Sequence, residues 1–108
     1  RVVVRDGSKV TIIPAAKLDY VLAQDDYVEL HSDKKNYLKQ QTISSLEATL
    51  DPRCFLRIHR SAIINLERIA RIEPYGRDSR VVVLNDGTQL PGSRSGYAKL
   101  REILDERS

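Results

Sequence analysis

The feature that most constrains this chain is a two-residue period of apolar side chains, interrupted at short intervals by turn residues. A period of two puts alternate side chains on opposite faces of a strand, so it favours antiparallel sheets of short strands over a helical bundle. RVVVR (1–5) and SKVTIIP (8–14) flank Asp6-Gly7, a tight-turn pair, and predict a hairpin. Pro14 ends the second arm, and AAK after it has room only for a short helical turn. LDYVLAQ (18–24) and YVELH (27–31) predict a second hairpin around Asp25-Asp26. SDKKN (32–36) then reads as a polar, cationic loop leading into YLKQ (37–40).

The period changes at Thr42. Ile43, Leu46 and Leu50 have helical spacing behind Thr42 as N-cap, and Asp51-Pro52 stops the helix because a residue before proline avoids helical geometry. Strands resume at CFLRI (54–58), IARIEP (69–74), RVVVL (80–84) and TQLPG (88–92), with Asn85-Asp86-Gly87 as the turn between the last two. From Ser93 a helical pattern sets Tyr97, Leu100, Ile103 and Leu104 on one face, capped by Ser93 or Ser95. The pattern describes a mainly β domain of about eight short strands with small helices. Alternation alone does not order the strands. With 108 residues and no linker, repeat or low-complexity tract, positions 1–108 are expected to form a single domain. The start at Arg1 rather than Met leads us to expect a fragment of a longer protein.

No run approaches the roughly 18 apolar residues of a membrane span. Lone Cys54 cannot form an intramolecular disulfide, which fits a reducing compartment and a cytoplasmic location. The net charge of +3 is modest, but its distribution is uneven. Seven arginines (53, 57, 60, 68, 71, 77, 80) stand against Glu67, Glu73 and Asp78 in the middle of the chain. The stretch 19–29 carries four acids and no Lys or Arg. One basic face is the expected result.

Catalysis finds no support. On a strand, Cys54 and His59 would point to opposite faces, and no G-x-S-x-G elbow or phosphate-cradling glycine loop is present. Cys54, beside Phe55 and Leu56, is expected to be a small buried residue. Two histidines and one cysteine lack metal-ligand spacing, so no metal or cofactor is expected, and His31 is expected at the surface.

Binding chemistry is better represented. In FLRIHRSAIIN (55–65), Leu56 and Ile58 should face one way and Phe55, Arg57 and His59 the other. Polar residues then take three consecutive places, His59, Arg60 and Ser61, before Ala62, Ile63 and Ile64 return to the core. That is an exposed turn anchored at both ends, the arrangement that presents a few polar groups rigidly. Asn65 is expected in a turn or cap role. In LPGSRSGYAKL (90–100), Ser93-Arg94-Ser95 opens a helix, where backbone N–H groups and hydroxyls suit a phosphate and Arg94 can pair with guanine. In the 32–36 loop, Lys34 and Lys35 suit phosphates and Asn36 suits adenine.

The run F55-x-R57-I-H59-R60-S61-x-I63-I64-N65 resembles the signature of LytTR-type DNA-binding domains. The likeness continues through I69-x-x-I72-E73, L84-N-D-G87-T88 and S93-R94-S95-x-Y97-x-x-L100, in the family's order, and LDYVLAQDDYVELH is similar to its opening. The resemblance implies elongated antiparallel β-sheets, about eight to ten short strands, with short helices. It implies the output domain of a bacterial two-component response regulator, behind an N-terminal receiver or sensor domain. Double-stranded DNA would be bound by loops in the major groove, at imperfect direct repeats in promoters, as a dimer on DNA. By position, Arg60, Arg94 and Asn36 would read bases, while Lys34, Lys35, His59, Ser61, Ser93 and Ser95 would contact the backbone or support the loops. The Asp25-Asp26 turn would lie away from DNA. The rival reading is a β-rich interaction module whose basic loops meet an acidic protein, which explains the charge but not the ordered motifs.

Overall fold

Each alternating run becomes a strand in the computed structural model, which describes residues 1–107. Val2–Asp6 (β1) and Lys9–Ile13 (β2) form the first hairpin, paired up to Asp6↔Lys9. Its turn is Gly7-Ser8, one residue later than Asp6-Gly7, because Gly7 supplies the positive φ (61°) and Asp6 stays extended. Ala15–Lys17 makes one 3₁₀ turn. Tyr20–Gln24 (β3), Tyr27–Ser32 (β4) and Lys35–Gln40 (β5) follow as a meander. The expected 32–36 loop shrinks to two residues, Asp33 and Lys34, both left-handed (φ 52° and 63°). Such a turn matches strand twist, so pairing runs right up to Ser32↔Lys35 and makes Lys35 and Asn36 strand residues.

Thr42 caps Ile43–Glu47 (α1), its side chain accepting from the Ser45 N–H. The helix ends before Asp51-Pro52, and turns carry the chain to Leu50. Phe55–His59 (β6) pairs with Ala62–Asn65 (β7), a strand without alternation because all four of its residues are buried. Asn65 caps the 3₁₀ turn Leu66–Arg68, its Oδ1 accepting from the Glu67 N–H. Ile69–Tyr75 (β8), Ser79–Leu84 (β9) and Gln89–Gly92 (β10) form an antiparallel sheet, and Arg94–Arg107 (α2) closes the fold. Pro91 is tolerated because β10 lies at a sheet edge.

Three layers result. The central sheet has the order β5-β4-β3-β7-β6. One face buries Val21, Leu30, Phe55 and Ile63 against the β1–β2 hairpin and α1. The other buries Ile58, Ala62 and Ile64 against the β10-β9-β8 sheet and Leu100 of α2. The molecule is long, with principal extents of 47 × 27 × 25 Å. The elongated, mainly β architecture implied by the family resemblance is the one observed.

The junction of α2 with β6 fixes the position of the functional residues. Between Arg57 and His59 the β6–β7 register slips, so Ile58 is an extra, bulged residue. Its carbonyl accepts from the Ser93 N–H at 2.8 Å and from Ser93 Oγ at 3.2 Å. One turn further, Gly96 is buried so tightly on Ile58 that a Cβ there would lie 2.0 Å from the Ile58 oxygen. Gly96→Ala must therefore lever α2 off the sheet edge. Urea unfolding should show a loss of about 3 kcal/mol, the upper range for overpacking, and more than Ala98→Gly on the exposed face.

Candidate nucleic-acid interface

The β6–β7 turn is held from inside. His59 pairs with Ala62 across Arg60 and Ser61. The Ser61 N–H donates to His59 Nδ1 at 3.2 Å, and Ser61 Oγ lies 2.8 Å from the same nitrogen. Nδ1 as acceptor puts the imidazole proton on Nε2, the group that can donate to a ligand. Arg60 stands exposed at the tip. Its carbonyl accepts from Arg57 Nη2 at 2.6 Å, while Arg57 Nη1 donates to Ser44 Oγ (2.9 Å) and Glu47 Oε1 (3.2 Å). Arg57 thus ties the Arg60 turn to α1. Sequence reasoning missed this role; the available signal was a cation in the strand position between Phe55 and His59.

The start of α2 meets that turn. Ser93 is the N-cap, its Oγ accepting from the Gly96 N–H at 3.0 Å, with Ser95 Oγ 3.4 Å away. Arg94 opens the helix, exposed. Because Ser93 hangs from the Ile58 carbonyl, His59, Arg60, Ser61, Ser93, Arg94 and Ser95 converge from two parts of the chain. Lys99, not anticipated from sequence, lines the same groove as Arg60 and Ser95. Arg80 enters from β9, its guanidinium 5.1 Å from the centre of the half-buried Tyr97 ring.

Lys34, Lys35 and Asn36 are elsewhere. The Asp33-Lys34 turn follows β4, whereas Arg60 and Ser61 lie beside the other end of the sheet, where Ser61 O accepts from the Ala23 N–H at 2.8 Å. At 3.3 Å per strand residue the two ends are roughly 15 Å apart. Lys34 instead shares a cavity of about 420 Å³ with Asp19, Asp33, Arg68 and Asp86. There the Thr88 N–H and hydroxyl hold the Asp86 carboxyl below the ordinary carboxylate range, with the Lys34 charge adding to them. Conversely, the Asp25-Asp26 turn follows directly on the Ala23–Ser61 bond, so it stands next to the Arg60 turn rather than away from it.

Ion pairing decides which cations remain available. Among the seven central arginines, Arg53 pairs with Asp51, Arg57 with Glu47, Arg68 with Asp19 and Arg71 with Glu73. Among the described residues Arg60, Arg77, Arg80 and Arg94 have no ion pair, and all four lie at the end formed by the β6–β7 turn, the β8–β9 turn and the start of α2.

Two other expectations change. Cys54 is exposed, not buried, because the N–H groups of Cys54 and Phe55 both donate to the Asp51 carbonyl and the strand begins only at Phe55. His31 is half-buried, stacked on Tyr20 with ring centres 4.2 Å apart and bonded to Glu29. No group of three or more metal-ligating side chains occurs among the described residues, and none of their helices is long and apolar enough to cross a membrane.

Comparison with known proteins agrees with the geometry. The model of the LytTr DNA-binding domain family matches residues 8–105. Sensory transduction protein LytT of Bacillus subtilis (strain 168) is 26% identical over 98 residues, covering 91% of this chain and 41% of that protein. Transcriptional regulatory protein YpdB of Escherichia coli (strain K12) is 26% identical over 97 residues, covering 89% and 40%. The chain therefore spans about two-fifths of the length of these relatives. A solved LytTr DNA-binding domain from Bacillus cereus shares the fold, with a TM-score of 0.84, 23% identity, and coverage of 95% of this chain and 94% of that one.

Arg57→Ala should leave the Arg60 carbonyl and Glu47 without their charged donor. Chemical denaturation should show a loss of about 2 kcal/mol, and hydrogen exchange should show faster exchange at the Ser61 N–H than at Val21.

Proposed function

Because the chain belongs to the LytTr DNA-binding domain family, we propose that it reads a specific duplex sequence through the two turns that meet at Ile58. Arg60 and Arg94 are the base readers. Each presents a planar fork that matches guanine O6 and N7 in the major groove. Ser95, the His59 Nε2–H and Lys99 hold the phosphates that fix the register, while Ser61 and Ser93, whose hydroxyl protons go to His59 Nδ1 and the Ile58 carbonyl, support the two turns. The observation that carries this reading is the convergence of Arg60, Arg77, Arg80 and Arg94 on one end, none of them ion-paired among the described residues, while Arg53, Arg57, Arg68 and Arg71 are matched with acids. Lys34, Lys35 and Asn36 take no part in this groove contact.

The reading extends to the whole protein. Positions 1–108 form one output domain of a cytoplasmic bacterial transcription regulator, with a receiver or sensor domain in the remainder of the polypeptide. The names of the relatives, a sensory transduction protein and a transcriptional regulatory protein, support that context. Two protomers bind imperfect direct repeats. Each offers short turns and one helix start rather than a long recognition helix, so the duplex bends towards them. A circular-permutation gel in which mobility does not depend on site position would remove the bend.

Selection from a random duplex pool, followed by titration at several salt concentrations, tests the core of the proposal. A repeated motif should emerge. Arg60→Ala and Arg94→Ala should each lose about 1–3 kcal/mol of preference for it, while Lys99→Ala weakens all duplexes alike and flattens the salt slope by about one. Lys35→Ala should change neither quantity. If no motif is enriched and every duplex binds alike, the rival, an acidic protein partner, becomes the better reading.

A further inference from the structure

We infer that the β8–β9 hairpin is a further phosphate-gripping arm, with Arg80 holding a DNA backbone phosphate in the cleft beside Arg94; the inference rests on the DNA-binding reading above. Pairing puts Gly92 opposite Arg80 and Tyr75 opposite Ser79. The hairpin tip, with Gly76, Arg77 and Asp78, therefore projects beyond the point where β10 gives way to α2. Between this tip and the end of β6 lies an open cleft of about 650 Å³. Its walls include His59, Asp78, Arg80, Ser93 and Arg94.

The chemistry of that lining selects an anion. Two guanidinium groups and an imidazole N–H line the cleft with a single carboxylate, Asp78. Arg80 is also held in place. Its stem is half-buried, its guanidinium lies over Tyr97 at 5.1 Å, and Nη1 donates to the Ser79 carbonyl at 3.0 Å. It has no ion pair among the described residues, unlike Arg71 on the neighbouring strand, which is bound to Glu73. An arginine already ordered on an aromatic face loses less freedom when it takes up a phosphate. The cleft shares His59 and Ser93 with the groove of Arg60, so a duplex seated on the readers continues across it. That continuity favours a backbone phosphate over a free small anion.

The test uses the 108-residue chain, the selected duplex and a scrambled duplex of equal length, each titrated across salt concentration. Arg80→Gln should weaken both duplexes by the same factor, about tenfold, and make the salt slope shallower by about 0.9. Asp78→Asn should act with the opposite sign, strengthening both. Arg77→Gln, at the exposed tip, repeats the slope measurement where no packing on Tyr97 is at stake. Preference for the selected duplex should stay at the wild-type ratio in all three variants.

An unchanged salt slope in Arg80→Gln and Arg77→Gln overturns the arm and leaves the base readers standing. A loss confined to the selected duplex also overturns it, since Arg80 would then act on Arg94 rather than on a phosphate. Saturating inorganic phosphate that blocks wild-type binding but spares Arg80→Gln would identify a free-anion site and overturn the backbone assignment. A wild-type chain that binds no duplex removes the DNA reading itself, a failure distinct from the others.

Discussion

One carbonyl organises this molecule. The Ile58 oxygen, freed from the sheet ladder by a bulge, accepts two hydrogen bonds from Ser93, and Gly96 lets the helix backbone lie directly on it. Without the bulge the carbonyl would point along the ladder. Without glycine the helix could not approach. The result is that a turn and a helix start, far apart in sequence, share one surface. Rigid presentation of this kind limits the freedom that each side chain must surrender on binding.

Charge is arranged on the same plan. A domain with many arginines could be basic all over and bind any polyanion indiscriminately. Here four central arginines are matched with Asp19, Glu47, Asp51 and Glu73, while Arg60, Arg77, Arg80 and Arg94, without ion pairs among the described residues, collect at one end. Internal pairing therefore narrows the attractive surface. The acidic Asp25-Asp26 turn beside the Arg60 turn narrows it further, since carboxylates there repel anions.

Much of this was legible beforehand. Alternation and turn residues located nearly every strand, and the polar interruption at His59-Arg60-Ser61 marked a presented turn. β7 escaped because a strand buried on both faces shows no period of two. Composition alone does not distinguish the two-residue left-handed turn at Asp33-Lys34 from a five-residue polar loop at 32–36. Once Lys35 and Asn36 belong to β5, sheet topology carries them to the end away from Arg60. Cys54 was misplaced because hydrogen bonds to the Asp51 carbonyl delay the strand by one residue. Arg57, Arg80 and Lys99 were not separable from ordinary surface cations, since only tertiary structure reveals what each one touches.

The dependence on α2 has a consequence for biosynthesis. All ten strands precede Arg94, so every strand is synthesised before the helix that seats on Ile58. A nascent chain at that stage already displays Arg60 but lacks its distant counterpart. The surface on which Arg60 and Arg94 stand together is thus completed late, when the helix seats on Ile58. A chain released before that point would lack Leu100 from its second core as well as Arg94 from its surface.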